Sequence, residues 1–324
     1  MLSRSFHRYS VAFSLAKVYN GVNLEIYGAA PLSANKAKTK KSPLKRAIII
    51  ISSILFALVV IAAFFLISNA VAHNMMRVVP DYEMDVEGLE QVLEKDIADW
   101  TDEDYDFVYH QTGLTRVYFE GQTTLNTAFI LGCQQDIFFE GQTEHDSDFP
   151  FSSHDYFPDK YFNMVDLREG DVLISASVHT MGWINGHAAL VISGGSSCSA
   201  RIAEAVSVGT PSRTSGTRWF RQATNFLVLR PKISAGEAAE IADWARENLV
   251  GIPYSLFVGF FYPKDQTDNV INTHCSHLVW QAYKAFGYDI DSTGGPVVSP
   301  RNIANSDLFE VVQVNGFDMD ELWS

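Results

Sequence analysis

A mixed α and β domain standing behind a single membrane-spanning helix is the fold class that the sequence predicts. Three observations carry that expectation. They are an uncharged apolar run from Ala47 to Ala72, a set of short β-branched segments from residue 171 onward, and two well-bounded amphipathic helices after residue 233. With 324 residues, 47 % of them hydrophobic, the chain can hold one or two domains with a sizeable core.

The apolar run comes first. It has 26 residues without a charge, and about twenty suffice to cross a bilayer as a helix. A buried core helix of this length would show a polar face, and this run has none. A cleaved signal peptide is shorter and does not stand behind a basic tail of 46 residues. Charge divides at the same place: residues 1–46 carry +8 and residues 47–324 carry −22. Lys36, Lys38, Lys40, Lys41, Lys45 and Arg46 crowd the N-terminal side, so the positive-inside rule predicts a single-pass cell-membrane protein, N-terminus cytoplasmic and residues 73–324 extracytoplasmic. The tail, residues 1–46, has no apolar period and reads as largely disordered, with affinity for anionic lipid heads. The net charge of −14 argues against a nucleic-acid partner, which needs clustered basic residues.

Residues 73–160 read as an acidic stalk or pre-domain that either spaces the following domain or covers its cleft. Residues 81–106 hold twelve acids and one lysine, yet Val86, Leu89, Leu93, Ile97 and Trp100 recur at helical spacing. That pattern predicts an amphipathic helix with a solvated acidic face. An internal echo, VYFEGQTT (117–124) and IFFEGQTE (137–144), is too short for a repeat array. It reads as paired strand-and-turn segments with Gly121 and Gly141 in the turns.

The domain proper is expected over 161–324. Strand candidates are DVLISA (171–176), HAALVIS (187–193), RIAEAVSV (201–208), NFLVLR (225–230) and EVVQV (310–314), all β-branched and bounded by turn formers. Ser234 and Glu237 make a capping box, and Ala238, Ile241, Ala242, Ala245 and Leu249 line one face of the helix that follows, which Gly251 ends. A second helix spans Thr273 to Phe286, with Thr273 or Asn272 as its cap.

Cys275 falls in the first turn of that second helix, where the helix dipole favours the thiolate. A small buried hydrophobe is the alternative for a free cysteine. His187 opens the strand HAALVIS directly after Gly186 and could face a cleft or merely the surface. Glu204 shares strand parity with Ile202, Val206 and Val208, so it sits on a core-facing row where a carboxylate needs a partner. An imidazolium on the neighbouring strand would serve, which makes Glu204 the candidate to orient His187. Three cysteines are too few for a disulfide scaffold; Cys133 and Cys198 could pair and leave Cys275 free.

With these pieces in place, GIPYS (251–255) followed by HCSHLVWQAYKAFGYDID (274–291) resembles the nucleophile region of NlpC-type papain-like cell-wall peptidases. In that family a Gly-Asp pair opening a strand, and then the histidine, follow the cysteine. Here the matching pieces, Gly170-Asp171 and GHAALVI (186–192), precede it, and the closing segment SPRNIANSDLFEVV (299–312), a Pro-containing turn before a final strand, fits a permuted order. The order His, acid, Cys resembles the circularly permuted papain-like amidases of the YiiX type and, more distantly, lecithin–retinol acyltransferase relatives. The resemblance covers residues 165–315. It implies an α+β papain-like domain with an antiparallel sheet packed on helices. It further implies Cys275 as nucleophile, His187 as base, Glu204 as orienting residue and Tyr254 beside the nucleophile or the oxyanion, where simple packing is an equal alternative. Two departures stand out: NlpC-type enzymes usually read Asp-Cys-Ser-Gly where this chain has His274-Cys275-Ser276-His277, and the permuted type often has an acid or Gln at His277. Both bear on substrate preference more than on mechanism.

The function expected is hydrolysis of an amide by a cysteine peptidase or amidase, with peptidoglycan-derived peptides as substrate class because a tethered domain reaches only the wall and the outer membrane face. A lipid-directed acyl hydrolase or transferase is the second expectation; Phe257, Phe260, Phe261 and Tyr262 could then line an apolar groove, or could simply be core. A catalytically silent module binding wall fragments or a partner is the third. Trp183, with Gly182 and Gly186 in a flexible loop, is a further candidate for the cleft wall, with simple packing an equal alternative. No cofactor or metal is expected: His274 and His277 with His145 or His154 lack the paired spacing of a closed zinc site.

Overall fold

The computed structural model describes residues 42–74, 77–148, 152–180 and 183–323; the basic tail before residue 42 and Gly182 lie outside them. Helix α1 (Pro43–Asn74) contains the uncharged run, and its stretch Pro43–Ala72 is long and apolar enough to cross a membrane. Then come α2 (Val86–Leu93), a 3₁₀ turn (Ile97–Asp99), α3 (Asp102–Thr112), α4 (Arg116–Phe119) and α5 (Thr127–Ile137). Strands β1 (Glu144–Asp148), β2 (Ser152–Tyr156), β3 (Val172–Ser175), β4 (Val178–Thr180), β5 (Trp183–Ile184), β6 (His187–Ser193), β7 (Arg201–Glu204) and β8 (Arg213–Ser215) follow. The chain continues with α6 (Arg218–Gln222), β9 (Phe226–Pro231), α7 (Ala235–Asn248), α8 (Cys275–Lys284), α9 (Pro300–Ala304) and β10 (Phe309–Asn315).

The fold is mixed α+β with antiparallel sheets. One sheet of six strands runs β10-β9-β3-β6-β7-β8, and a smaller one runs β1-β2-β4-β5. Strand alternation decides the layering. Val172, Ile174, Ala188, Leu190, Leu227 and Leu229 face one way, onto Ile241 and Ala245 of α7 and Leu278, Val279 and Ala282 of α8. Their neighbours Leu173, Ala189, Val191, Phe226 and Val228 face the other way, onto Leu89 of α2, Val108 of α3 and Ile130 of α5. The large sheet is therefore covered on both faces.

That second cover corrects the expected stalk. Residues 73–160 do not stand off from a domain beginning at 161, because Leu89, Val108 and Ile130 are fully buried in the same cluster as Leu173 and Val191. The amphipathic pattern at 86–100 is a helix and a 3₁₀ turn with Leu89, Val92 and Trp100 buried, and its acids point outward. The EGQT echo does not form strands. Both copies follow helices, α4 and α5, and Gly121 makes its turn at φ +76°.

Most other elements lie where the patterning puts them, and the Ser234–Glu237 capping box forms. Two boundaries differ. Strand β7 stops at Glu204, where its pairing with β8 runs out at Arg213, so Val206 and Val208 are exposed. Helix α8 starts at Cys275 with His274 as cap, not Thr273 or Asn272. Thr273 is still held extended by its own N–H donating to Pro253 O (3.0 Å) and its carbonyl accepting from Ser255 N (2.8 Å).

If the α2–α5 layer is integral, Leu89→Ala should cost about 2–5 kcal/mol, the usual range for a buried leucine. Urea unfolding of the full chain in detergent should then show one cooperative transition at lower midpoint. An unchanged main transition preceded by a separate early one would mean that this layer is an independent module.

Candidate active site

Three strand and helix ends meet at one edge of the large sheet. Gly186, at φ +67°, turns the chain into β6, and a Cβ there would lie 2.8 Å from Ser175 O, so β6 starts at His187 opposite Ser175. The register that opposes Leu190 to Ala203 brings Glu204 diagonal to His187 on one face. His187 Nε2 lies 3.1 Å from Glu204 Oε2, with both side chains buried. Glu204 Oε1 accepts from Arg213 Nε at 3.1 Å. Helix α8 approaches from the opposite layer and presents the Cys275 thiol, at its first helical position, into the cavity that His187 also lines.

The rings around His187 fix its plane. Phe220 stacks on it with centroids 5.5 Å apart, and Trp219 meets it edge-on at 5.0 Å. With Nε2 turned to Glu204, the other ring nitrogen is left for the thiol.

The electrostatics follow from burial and pairing. Burial alone would raise the Cys275 thiol, but hydrogen bonds from His187 and His274 and the positive charge of His187 hold it well below the ordinary thiol range. Burial opposes the charge on His187 too; its bonds to Cys275 and Glu204 outweigh this and raise it to about 9. Glu204, likewise opposed by burial, is drawn down to about 2 by His187 and Arg213. These shifts all favour the same charge order, a thiolate, an imidazolium and a carboxylate in a row.

Tyr254 is pinned beside the thiol by a parallel bridge to Thr273. Burial first, and the nearby Cys275 charge second, keep its phenol protonated. Cys275 and Tyr254 line two adjoining cavities. One, of about 280 Å³, reaches His187, Glu204, Trp219 and His154. The other, of about 770 Å³, reaches Trp183, His274 and Asn302.

Other sequence candidates fall elsewhere. Trp183 lies on β5, paired to β4 through Thr180, and is 78 % exposed at the second cavity. Phe257 and Phe260 line neither cavity. They stand exposed with Leu256 and Phe261 on the loop after Tyr254, and only Leu256 reaches the cleft. Cys133 is buried in α5 and Cys198 exposed, and both are free thiols, so the pair that could have formed does not. The His274/His277 metal grouping does not assemble either. His277 has Nδ1 2.9 Å from Thr273 Oγ1 and Nε2 2.7 Å from Lys264 O, and burial lowers it to about 3.

Arg213, Trp219, Phe220 and His274 were not singled out for these roles by sequence. Only His274, adjacent to Cys275, carried a local signal.

No protein-family model matches the chain. Over 84 residues it is 39 % identical to the uncharacterized protein YycO of Bacillus subtilis, a stretch that makes up 25 % of this chain and 32 % of the relative. The chain therefore spans about a third of the length of the curated relative it matches. Among solved structures it is similar to the metalloprotein YiiX of Escherichia coli O157:H7. That match has 15 % identity and a TM-score of 0.33, over 45 % of this chain and 96 % of the other.

The paired charges predict that His187, followed by NMR of its imidazole, stays protonated until about pH 9. Removing either partner, by Cys275→Ala or Glu204→Gln, should lower that midpoint by about one unit or more. A midpoint near the ordinary 6.5 in all three proteins would contradict the assigned pairing.

Proposed function

We propose that this chain is a membrane-anchored cysteine hydrolase of permuted papain-like architecture that cleaves amide bonds outside the cell. The observation that carries the proposal is the series Cys275–His187–Glu204, the histidine and the acid buried and the thiol half-buried, opening onto a cleft at a helix N-terminus. A thiolate held by an imidazolium, itself oriented by a carboxylate, is a nucleophile with its general acid already in place. The order of the three in the chain, histidine then acid then cysteine, supports the permuted arrangement.

In the proposed reaction the Cys275 thiolate attacks the substrate carbonyl. The developing oxyanion takes the backbone N–H of Cys275, which has no intrahelical acceptor at the first helical position, and the protonated Tyr254 hydroxyl. His187 delivers its proton to the leaving amine, and then, as a neutral base, activates the water that resolves the thioester. Glu204, braced by Arg213, keeps the imidazole oriented throughout. Because cavities adjoin Cys275 on two sides, an extended substrate has room for both an acyl and a leaving portion. Peptides of the cell wall suit this cleft and suit a domain held on the outer face by α1, with residues before the helix cytoplasmic.

A lipid-directed acyl hydrolase or transferase is the second reading, and one observation favours it. Leu256, Phe257, Phe260 and Phe261 expose a contiguous apolar loop whose first residue lines the cleft.

Both readings are tested together by incubating the detergent-purified full chain with stem peptides of peptidoglycan and with phospholipid vesicles. The proposal expects peptide cleavage, a thioester adduct on Cys275 trapped by mass spectrometry, loss of turnover in Cys275→Ala, and a fall of about 10²–10⁴ in kcat for His187→Ala. Release of fatty acid from the vesicles with intact peptides would select the lipid reading. Turnover that survives Cys275→Ala would sink both.

A further inference from the structure

Behind the cleft wall, the small sheet gathers three side chains that the proposed reaction does not use. His145 of β1 is opposed to Asp155 of β2, and His179 of β4 is opposed to Ser153, two residues from Asp155 on the same strand. Period-two alternation therefore sends His145, Asp155 and His179 to one face. Their ligand atoms all lie within 4.8 Å of one another. His145 Nδ1 is 3.0 Å and His179 Nε2 3.4 Å from the two Asp155 oxygens. Four ligands placed tetrahedrally around zinc at about 2.0–2.1 Å are about 3.3 Å apart, so these separations already fit one ion.

A carboxylate between two histidines is also an ordinary hydrogen-bonded cluster. His179 distinguishes the two cases. It is fully buried, and among the described residues neither of its ring nitrogens has a hydrogen-bond partner. A histidine buried in that way leaves a donor and an acceptor both unmade, which is costly unless something else takes a nitrogen lone pair. The rings of His145 and His179 lie nearly parallel with centroids 5.5 Å apart, close enough to flank one ion.

We infer that His145, Asp155 and His179 bind one divalent transition-metal ion, with zinc the best match to two imidazoles and a carboxylate. His145 is 32 % exposed at its side chain, so a fourth position is open to water on that side. The site is structural by its location. The alternate residues on the same strands, His154 and its partner Val178, line the cleft beside Cys275. An ion on the far face would clamp β1, β2 and β4 together and so hold the wall that those two residues form.

The test uses the full chain, free of any affinity tag, loaded with Zn²⁺ or Co²⁺ and dialysed. One zinc per chain by elemental analysis, and a tetrahedral visible spectrum with cobalt, are expected. Both should be lost in His179→Ala and Asp155→Asn, and kept in Cys275→Ala. Because the first two positions are buried, His145→Gln is the control for folding: it should weaken zinc binding by tenfold or more with an unchanged far-ultraviolet circular dichroism spectrum. Absence of stoichiometric zinc in the wild type, or binding unaffected by all three ligand variants, would overturn the site. Binding lost only in Cys275→Ala would place the ion on the thiol instead and overturn it equally. None of these readouts depends on hydrolase activity.

Discussion

A carboxylate placed on the core-facing row of a strand has to find a counter-charge, and at Glu204 that need organises the whole edge of the sheet. Glu204 is almost fully buried at the end of β7 and is answered on one side by His187 and on the other by Arg213. Burying such an ion without partners is prohibitive. Once His187 is drawn to it, the imidazole is charged and needs a second anion on its free side. The N-terminus of α8 brings the Cys275 thiol to that side, where the positive charge of His187 favours its thiolate form. Each charge is tolerated because the next is there, so the site is electrostatically a unit and its members are not separable by single substitutions.

The packing serves this edge. Gly186 fixes where β6 begins, and Phe220 and Trp219 hold the ring of His187. Helix α8 owes its position to Leu278, Val279 and Ala282 against the sheet, and it carries Cys275 with it. On the opposite face the helices between residues 86 and 137 complete the burial that the strands require. A sheet hydrophobic on both faces cannot stand on α7 and α8 alone, which is why the acidic segment folds back.

How much of this was legible in the sequence depends on the range of the signal. Capping at Ser234, the strand HAALVIS and the apolar run to Ala72 are local, and each lies where the pattern puts it. Glu204 was legible through its parity with Ile202, although the same argument over-extended the strand to Val208, which is exposed. The amphipathic stripe through Leu89 and Trp100 was legible despite twelve acids in residues 81–106, but what it packs on was not, because its partners Leu173 and Val191 lie far along the chain. Arg213, Phe220 and the grouping of His145 with Asp155 and His179 were not legible. They come together only through strand register, which no local pattern encodes.

The central claim, that Cys275 is an activated thiolate paired with His187, is tested most directly by its alkylation rate. Iodoacetamide would be applied to the full chain across pH 4–9, in a Cys198→Ser background that removes the exposed thiol, with and without His187→Ala. The account predicts rapid modification of Cys275 that persists far below the ordinary thiol value of about 8.5, and its loss at neutral pH when His187 is removed. An inert Cys275, or one that titrates like an ordinary thiol whether or not His187 is present, would contradict it.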